Sequence, residues 1–322
     1  MTSALCTLFE GDYHYGVAAL ANSAYQRGFR GTLYVGYRGA LPAWTAHAKS
    51  LQLKGWESAT EWVPADGLRL VFIPLTTDAH LTNYKPDFML ALLEDPEFRC
   101  ARLAYIDPDI CIANRWTFFD EWLSCGVAVC EDVNSPYPET HPRRIGWRRY
   151  FQPYGYDLRF RGAEYANGGF VGVGVDHADF LRLWQTLQQR MATEIGGLDA
   201  SKLSRGKAYA SRGFADCFEA SDQDALNAAI EACTTPVSML GKEAMGFKHG
   251  AACALHALGH GKPWQRGYLR EALRGNPPRR VDKVFWESVS GPIKPYSPAR
   301  VMIKQWAIRV AGLLGRFYKR PV

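Results

Sequence analysis

Short apolar runs alternate with segments of helical spacing over the first 130 residues of the chain. Apolar runs bounded by turn residues predict strands, and apolar residues that recur at helical spacing predict helices. The predicted strands cover residues 7–9, 32–37, 68–74, 103–106 and 127–130. The predicted helices cover residues 17–25, 44–53, 87–93 and 116–123. This alternation indicates a mainly parallel sheet covered by helices, so the expected fold class is α/β.

The predicted strand 103–106 runs directly into two carboxylates. Pro108 cannot donate a hydrogen bond to a sheet, so the strand should end before it, with Asp107 and Asp109 in a turn. Open α/β sheets bind their ligands at the carboxyl ends of the strands. Two neighbouring carboxylates suit Mg²⁺ or Mn²⁺, particularly when a diphosphate adds oxygens, although an Asp-Pro-Asp turn also occurs without any metal.

The composition is that of a globular protein, with 47% hydrophobic and 22% charged residues in a chain of 322. The net charge of +6 is mild and its basic residues lie in separate segments, which argues against nucleic-acid binding. The eight cysteines are scattered without a CxxC pair, which favours reduced thiols over disulfides or a zinc site. Residues 1–9 lack the features of a signal peptide, and no apolar run is long enough to span a bilayer. The expected location is the cytoplasm.

Residues 131–165 interrupt the alternation and are rich in Pro, Tyr and Arg. A long irregular insertion in a compact domain is usually functional or mobile, so this one is either a solvated loop or an acceptor-side wall. A further strand is predicted over residues 170–175, and a later helix begins near Ser221. Ser221 and Asp224 have the spacing of a capping box, which favours a structural role at the start of that helix.

The apolar run 251–258 contains His256 and leads into a loop with Gly259, Gly261 and Lys262. A lone histidine in an apolar run is more often a core residue than a ligand. The loop changes this expectation, because glycines let a backbone approach a ligand closely and a lysine suits phosphate. The sequence therefore predicts a phosphate-binding loop beside His256.

The last predicted helix, residues 301–320, is amphipathic and basic. Its apolar positions are Ile303, Trp306, Val310, Leu313, Leu314 and Phe317, and its basic positions are Lys304, Arg309, Arg316, Lys319 and Arg320. Such a helix favours contact with an anionic membrane surface, which would give the protein a peripheral position on the inner face of the membrane. The alternative is a helix that packs on the core and keeps its basic face in water.

Five segments, in this order along the chain, resemble motifs of the retaining glycosyltransferases of family 8. They are residues 12–15 (D-x-x-Y), 107–109 (D-x-D), 167–169 (N-x-G), 222–227 (D-Q-D-x-L-N) and 256–264 (H-x-x-G-x-x-K-P-W). The last two are specific, whereas the first and third are weak on their own. The resemblance implies a GT-A fold, a Rossmann-like mixed sheet covered by helices, as a domain of residues 1–270. A basic, helical C-terminal extension would then comprise residues 271–322.

The resemblance also implies a metal-dependent transferase whose donor is a nucleotide-diphosphate sugar, with a UDP-hexose as the expected donor. Asp107, Asp109 and His256 would hold Mn²⁺ or Mg²⁺, which acts as a Lewis acid toward the departing diphosphate. Both ions accept these ligands, so the choice between them stays open. Lys262 and the backbone at Gly259 would stabilise the charge that grows on the leaving phosphate.

The remaining donor contacts follow from the same resemblance. Asp12 and Tyr15 would hold the uracil, with the tyrosine ring stacked on the base. Lys85 is a candidate for the phosphate or the sugar. The residues that would line the donor sugar are Asn167, Gly168, Asp222 and Gln223.

Retention of anomeric configuration by double displacement needs a carboxylate on the far face of the sugar ring. The resemblance gives that position to Gln223, which is a poor nucleophile. We therefore expect front-face substitution, in which Gln223 stabilises an oxocarbenium-like centre and Asp222 binds sugar hydroxyls. The tryptophan-asparagine element of the family has no counterpart in residues 234–247, so that wall of the pocket is not predicted.

Three functions stay open on the sequence alone. The first is a retaining transferase whose acceptor is a glycan, a lipid-linked or lipopolysaccharide intermediate, or a protein. The second is an inverting transferase or a nucleotidyltransferase, although the glycine-rich N-terminal signature of the latter is missing. The third is a non-catalytic protein of the same fold that binds sugar nucleotides or glycans.

Overall fold

The computed structural model describes residues 3–199, 217–259 and 261–317 of the chain. Within these residues the strands are β1 (Ser3–Glu10), β2 (Gly31–Arg38), β3 (Lys49–Ser50), β4 (Thr60–Ala65), β5 (Leu68–Pro74), β6 (Arg102–Ile106), β7 (Ile110–Ile112), β8 (Val127–Glu131), β9 (Ala166–Gly174), β10 (Val237–Leu240) and β11 (Ala254–His256). The α-helices of the same residues are α1 (His14–Gln26), α2 (Lys85–Glu94), α3 (Trp116–Trp122), α4 (Pro142–Phe151), α5 (Ala178–Ile195), α6 (Ser221–Ala232), α7 (Tyr268–Leu273), α8 (Arg280–Ser288) and α9 (Pro298–Leu314).

Most of the described strands form one mixed sheet, in the order β10-β8-β9-β6-β1-β2-β5-β4-β3. The pairs β6-β1, β1-β2 and β2-β5 are parallel, as the alternation of strands and helices predicts. β9 lies antiparallel between β6 and β8 and makes the sheet mixed. β7 and β11 pair antiparallel in a separate small sheet. The expected fold class is confirmed, because helices cover both faces of this mixed α/β sheet.

β1 is buried on both faces, and its side-chain alternation divides the core into two clusters. Ala4, Cys6 and Leu8 pack into one cluster with α2, α5 and α6. Leu5 and Phe9 pack into the other with α1 and α3. Because successive side chains of a strand point to opposite faces, a central strand covered on both sides has to be an almost continuous apolar run.

The predicted helix 44–53 is wrong. A short 3-10 turn covers Ala43–Thr45, and β3 then pairs antiparallel with the start of β4. The Leu51 amide continues this pairing by donating to the Ala59 carbonyl at 2.8 Å. Hydrogen bonds to a neighbouring strand therefore outweigh the local helical preference of this segment.

The expected irregular course of residues 131–165 is also wrong in part, because α4 lies within them. Nδ1 of His141 accepts a hydrogen bond from the Arg143 amide at 3.2 Å and caps the helix. Trp147 of α4 is fully buried. Glu231, itself buried, pairs with Arg144 and with Arg148, whose Nε lies 3.1 Å from Oε2. The arginines that make this stretch look like a surface loop thus hold a buried helix in place.

The predicted capping box at Ser221 is wrong, because the helix starts one residue earlier. Ala220 is the N-cap of α6. The Ser221 hydroxyl instead donates to Oδ1 of Asn83 at 2.6 Å. The Asp224 carboxylate accepts the Ala220 amide at 2.7 Å and so satisfies a donor at the helix start.

The C-terminal helices pack against the sheet domain rather than apart from it. The Asn22 side chain on α1 donates to the Ser288 and Ile293 carbonyls and accepts the Ile293 amide, all within 3.0 Å. Trp264 and Trp286 share an apolar cluster that also contains residues of α1 and α9. Among the described helices, none is long and apolar enough to cross a bilayer.

Candidate active site

A cavity of about 730 Å³ lies where β1, β6 and β9 meet the start of α6. The predicted site residues that line it are Lys85, Asp107, Asp109, Asn167, Gly168, Asp222, Gln223, His256, Gly259 and Lys262. Asp12 and Tyr15 do not line it. The chain thus brings predicted site residues from four of the five motifs, and Lys85 from α2, to one concave surface.

Backbone hydrogen bonds hold the Asp-Pro-Asp turn in place. The Asp107 amide donates to the Gly169 carbonyl at 2.8 Å, and the Ala257 amide donates to the Asp109 carbonyl at 3.0 Å. His256 lies opposite Ile110 in the β7-β11 pair. The turn and the histidine are therefore neighbours, because the short strands beside them are paired.

Asp107, Asp109 and His256 each offer a ligand atom within 4.8 Å of the other two. Nε2 of His256 lies 3.2 Å from Oδ1 of Asp109 and 3.9 Å from Oδ2 of Asp107. Among the described residues, the buried Nδ1 of the same ring has no hydrogen-bond partner. Two carboxylates and an imidazole are suitable ligands for a divalent cation such as Mn²⁺. The donor set therefore fits the metal that the sequence predicts.

Gly169 leaves space for this cluster. A Cβ placed on Gly169 would lie 2.8 Å from Cε1 of His256 and 2.9 Å from Oδ2 of Asp107. Both distances are shorter than ordinary carbon contacts. The strand that borders the metal ligands can therefore approach them only with glycine at this position.

Lys85 is buried and links the two ends of the cavity. Its Nζ lies 2.9 Å from Oδ2 of Asp222 and 3.4 Å from Oδ1 of Asp107, and it also donates to the Gly168 carbonyl at 2.9 Å. Burial alone would lower the pKa of Lys85, but Asp107 and Asp222 outweigh burial and raise it. One ammonium group thus stays charged and fixes both carboxylates.

Lys262 contacts the metal ligand Asp109 directly. Its Nζ lies 2.6 Å from Oδ2 of Asp109 and donates to the Ala257 carbonyl at 2.8 Å. Burial alone would raise the pKa of the Asp109 carboxyl, but His256 and Lys262 outweigh burial and hold the pKa below its usual range. Asp109 therefore remains an anion although it is only 7% exposed.

Amide side chains dominate the other end of the cavity. Oε1 of Gln223 accepts the Gly168 amide at 3.1 Å, and Oδ1 of Asn167 accepts the Gly169 amide at 2.9 Å. Nδ2 of Asn167 donates to Oδ2 of Asp132 at 2.6 Å. Asp132 also lines the cavity. It could not be predicted as a site residue, because it lies in the irregular insertion of residues 131–165.

The side chains of Asp12 and Tyr15 do not line the cavity, although the resemblance implies that they hold the uracil there. The Asp12 carboxylate accepts hydrogen bonds from Trp264 Nε1 at 3.0 Å and from Gln265 Nε2 at 2.7 Å. The Tyr15 ring stacks on Tyr296 with centroids 4.6 Å apart. Asp12 thus joins the turn after β1 to the segment around Trp264, and Tyr15 joins α1 to the C-terminal extension.

Glu10 and Tyr13 line the cavity in their place. They have the same acid-x-x-Tyr spacing, two residues earlier in the chain. The Tyr13 ring packs edge-on against Trp264 and lies 5.8 Å from Nζ of Lys262. The spacing alone cannot decide between the two registers, because an acidic residue lies three positions before a tyrosine in both.

The second aspartate of the D-Q-D motif, Asp224, is fully buried and does not line the cavity. It accepts a hydrogen bond from the Tyr165 hydroxyl at 2.7 Å. Burial raises the pKa of Asp224 to about 7, although Arg143 and the hydrogen bonds from Tyr165 and the Ala220 amide favour its anion. Asp224 therefore supports the start of α6 and is no candidate for attack on a substrate.

Gly16 on α1 lets the Asp-Pro-Asp turn approach the helix. A Cβ at Gly16 would lie 2.1 Å from the Pro108 carbonyl oxygen, and backbone cannot yield as a side chain does. We expect Gly16→Ala to weaken Mn²⁺ binding about tenfold, because the turn carries two of the three ligands. Calorimetric titration with Mn²⁺ alone measures this, and Gly312→Ala is the control because a Cβ there meets nothing within 4 Å. Equal Mn²⁺ affinity in both variants would contradict the expectation.

No protein-family model and no functionally curated protein matches this sequence. Solved structures do match it. A galactosyltransferase, LgtC, in complex with donor and acceptor sugar analogs aligns with a TM-score of 0.51 at 16% identity, over 94% of this chain and 99% of that one. The glycosyltransferase GlyE of Streptococcus pneumoniae TIGR4 aligns with a TM-score of 0.49 at 14% identity, over 97% of this chain and 64% of that one. The chain thus spans less than two thirds of GlyE. The likeness to LgtC shows that this chain has a GT-A-like α/β fold of the kind found in glycosyltransferases.

Proposed function

We propose that this protein is a metal-dependent retaining glycosyltransferase that uses a nucleotide-diphosphate sugar, in the first instance a UDP-hexose. One observation carries the proposal: a ligand set for a divalent cation, two lysines and the amide side chains of Asn167 and Gln223 line the same cavity. A diphosphate needs the cation and the lysines to balance its negative charge, and a sugar needs amide groups that hydrogen-bond its hydroxyls. The glycosyltransferase-like fold agrees with this function.

The diphosphate would bind where Asp107, Asp109, His256 and Lys262 meet. A bound Mn²⁺ or Mg²⁺ would supply Lewis-acid neutralisation of the leaving group. Lys262 adds a positive charge beside Asp109, and the backbone of Gly259 lines the same part of the cavity. Preorganised positive charge of this kind stabilises the transition state more than the ground state, because negative charge grows on the departing phosphate.

Tyr13 takes over the base-stacking role that the resemblance gives to Tyr15. Tyr13 lines the cavity and its ring is anchored on Trp264, whereas the Tyr15 ring is stacked on Tyr296. Glu10 lies in the same lining and offers a carboxylate to the N–H group of a uracil. Asp12 then acts indirectly, because it holds Trp264 behind Tyr13.

The donor sugar would lie against Asn167, Gly168, Asp222 and Gln223. Asp222 binds sugar hydroxyls, and Lys85 holds its carboxylate in place through a contact of 2.9 Å. In front-face substitution the bond from the anomeric carbon to the diphosphate oxygen breaks, the acceptor oxygen bonds on the same face, and the acceptor proton passes to the leaving diphosphate. Gln223 contributes its amide dipole to the cationic centre. A glycosyl adduct trapped on any side chain and found by mass spectrometry would overturn this route.

A glycan or lipid-linked molecule is the proposed acceptor, and α9 would bring the enzyme to a membrane that carries it. Val301, Ile308 and Ala311 face the protein. The opposite face exposes Met302, Ile303, Trp306 and Leu313, and Phe317 follows the helix; each of these side chains is more than half exposed. Arg309 and Arg316 are exposed beside them, whereas Lys304 turns inward and donates to the Arg266 carbonyl. Lys319 and Arg320 lie outside the described residues.

We expect this face to bind vesicles that contain anionic lipid and not vesicles of neutral lipid alone. Replacing Trp306 and Phe317 together with alanine should weaken binding about tenfold or more, since two aromatic side chains are lost from the contact. Co-sedimentation with vesicles measures this, and Val63→Ala is the control because Val63 is as exposed as Trp306. Unchanged binding of the double variant would contradict the membrane role, and a concentration-dependent dimer lost in that variant would assign the face to a second copy.

The function itself is tested by release of UDP from a panel of UDP-sugars, with Mn²⁺ and with chelator. Metal-dependent release from one sugar supports the transferase and identifies its donor, because slow hydrolysis needs no acceptor. The anomer of the first sugar product, read by NMR before mutarotation, distinguishes retention from inversion. Formation of UTP and sugar 1-phosphate from a UDP-sugar and added pyrophosphate, without release of UDP, would indicate a nucleotidyltransferase. Metal-dependent UDP binding without turnover would indicate a non-catalytic protein.

A further inference from the structure

We infer that Arg279, which lies beyond every motif of the resemblance, is a positioning residue for the loop that carries Gly259 and Lys262. Arg279 is the N-cap of α8 in the C-terminal segment. Its Nη1 donates to the Leu258 carbonyl and its Nη2 to the Gly261 carbonyl, both at 2.9 Å. One rigid guanidinium thus ties two points of the loop to the helix.

The guanidinium is itself held in one orientation. Oδ2 of Asp282 accepts from Nε of Arg279 at 3.1 Å, and Oδ1 accepts from Nη2 at 3.0 Å. Asp282 has no exposed surface and also accepts from the Arg279 amide and from Nη1 of Arg266. Every nitrogen of the Arg279 side chain donates a hydrogen bond. The guanidinium is therefore fixed in one orientation, and it holds the loop more firmly than a mobile surface arginine would.

The consequence for the site follows from peptide geometry. In a trans peptide the carbonyl and the next N–H point in opposite directions, so anchoring the Leu258 carbonyl directs the Gly259 amide away from Arg279. The anchored Gly261 carbonyl belongs to the same peptide group as the Lys262 amide, which donates to Gln265 Oε1 at 3.2 Å. Gly259 and Gly261 both have positive φ, of 74° and 76°. A glycine has no side chain to hold its neighbours and adopts many backbone conformations, so these two residues do not fix the loop by themselves. Arg279 supplies the rigidity that these glycines lack.

The inference rests on the proposed function only for its ligand, UDP with Mn²⁺. We expect Arg279→Ala to weaken UDP binding about tenfold in the presence of Mn²⁺, while Mn²⁺ alone binds as in the wild type. A merely structural defect would lower both affinities together with the melting temperature. Arg279→Lys should recover only part of the loss, because one ammonium cannot form the fork. The matched control is Arg280→Ala, since Arg280 is exposed and donates to the Gly250 carbonyl only at 3.3 Å.

A second measurement needs no nucleotide. Hydrogen–deuterium exchange in peptides that contain Lys262 should be faster in Arg279→Ala than in Arg280→Ala, while exchange in β6 stays unchanged. Equal exchange in the two variants, or equal UDP affinity, overturns the positioning role. Failure of the wild-type protein to bind UDP with Mn²⁺ would instead count against the proposed function, and the exchange experiment would still decide on Arg279. If Arg279→Ala does not fold, Arg279→Lys and Arg279→Gln are compared in the same two measurements.

Discussion

Asp109→Asn should abolish metal-dependent sugar transfer, with a loss of about a thousandfold or more. The substitution keeps the size of the side chain and removes its charge. Asp109 is the ligand with the closest contacts in the cluster, to Nε2 of His256 at 3.2 Å and to Nζ of Lys262 at 2.6 Å. The negative charge of Asp109 therefore lies between the histidine and the lysine at the end of the cavity where the diphosphate would bind. Initial rates of UDP release with saturating Mn²⁺ measure the loss.

The same variant should bind Mn²⁺ at least about 100-fold more weakly. Asp157→Asn is the matched control, because the ion pair of Asp157 within the described residues is with Arg159, and both side chains of that pair are largely exposed. Such surface pairs contribute little, so this control should retain both activity and metal affinity. Full transfer activity of Asp109→Asn in the presence of chelator would refute metal dependence.

The sequence predicted the framework of the fold because its core strands obey simple rules. β5 is an apolar run that ends at Pro74, and β6 ends two residues before Pro108. The helices α1 and α2 connect β1 to β2 and β5 to β6, as the alternation of strands and helices predicts. Where tertiary contacts decide, the predictions fail. The segment around β3 pairs with β4, and α4 is stabilised through Glu231, which lies far away in the chain.

The residues of the candidate site also fall into those that the sequence predicts and those that depend on tertiary contacts. Asp107 and Asp109 could be named as metal ligands from their spacing and residue type, whereas His256 could be named only from the resemblance of residues 256–264 to a family motif. Tyr13 could not be preferred over Tyr15, since only the packing of Tyr15 on Tyr296 shows which ring is turned away from the cavity. Asp132 and Arg279 carry no local signal at all, because each acts through hydrogen bonds to another segment of the chain.

Lys262→Met should change two affinities in opposite directions. Nζ of Lys262 lies against Asp109, so its ammonium and a divalent cation compete for the charge of the same carboxylate. Removing the ammonium should therefore tighten the binding of Mn²⁺ alone about fivefold or more. The same change should weaken UDP binding in the presence of Mn²⁺ and slow transfer about 100-fold, because a cation beside the leaving diphosphate is lost.

The opposite signs distinguish this arrangement from its alternatives. A lysine that served only to bind phosphate would leave the affinity for Mn²⁺ alone unchanged, and a lysine that supported the fold would lower both affinities. Calorimetric titration of Lys262→Met with Mn²⁺, and then with UDP at saturating Mn²⁺, separates the three cases. Lys242→Met is the control, because Lys242 donates to the Ser135 carbonyl outside the cavity. Weaker binding of Mn²⁺ alone to Lys262→Met than to this control would show that the ammonium assists the metal site instead of competing with it.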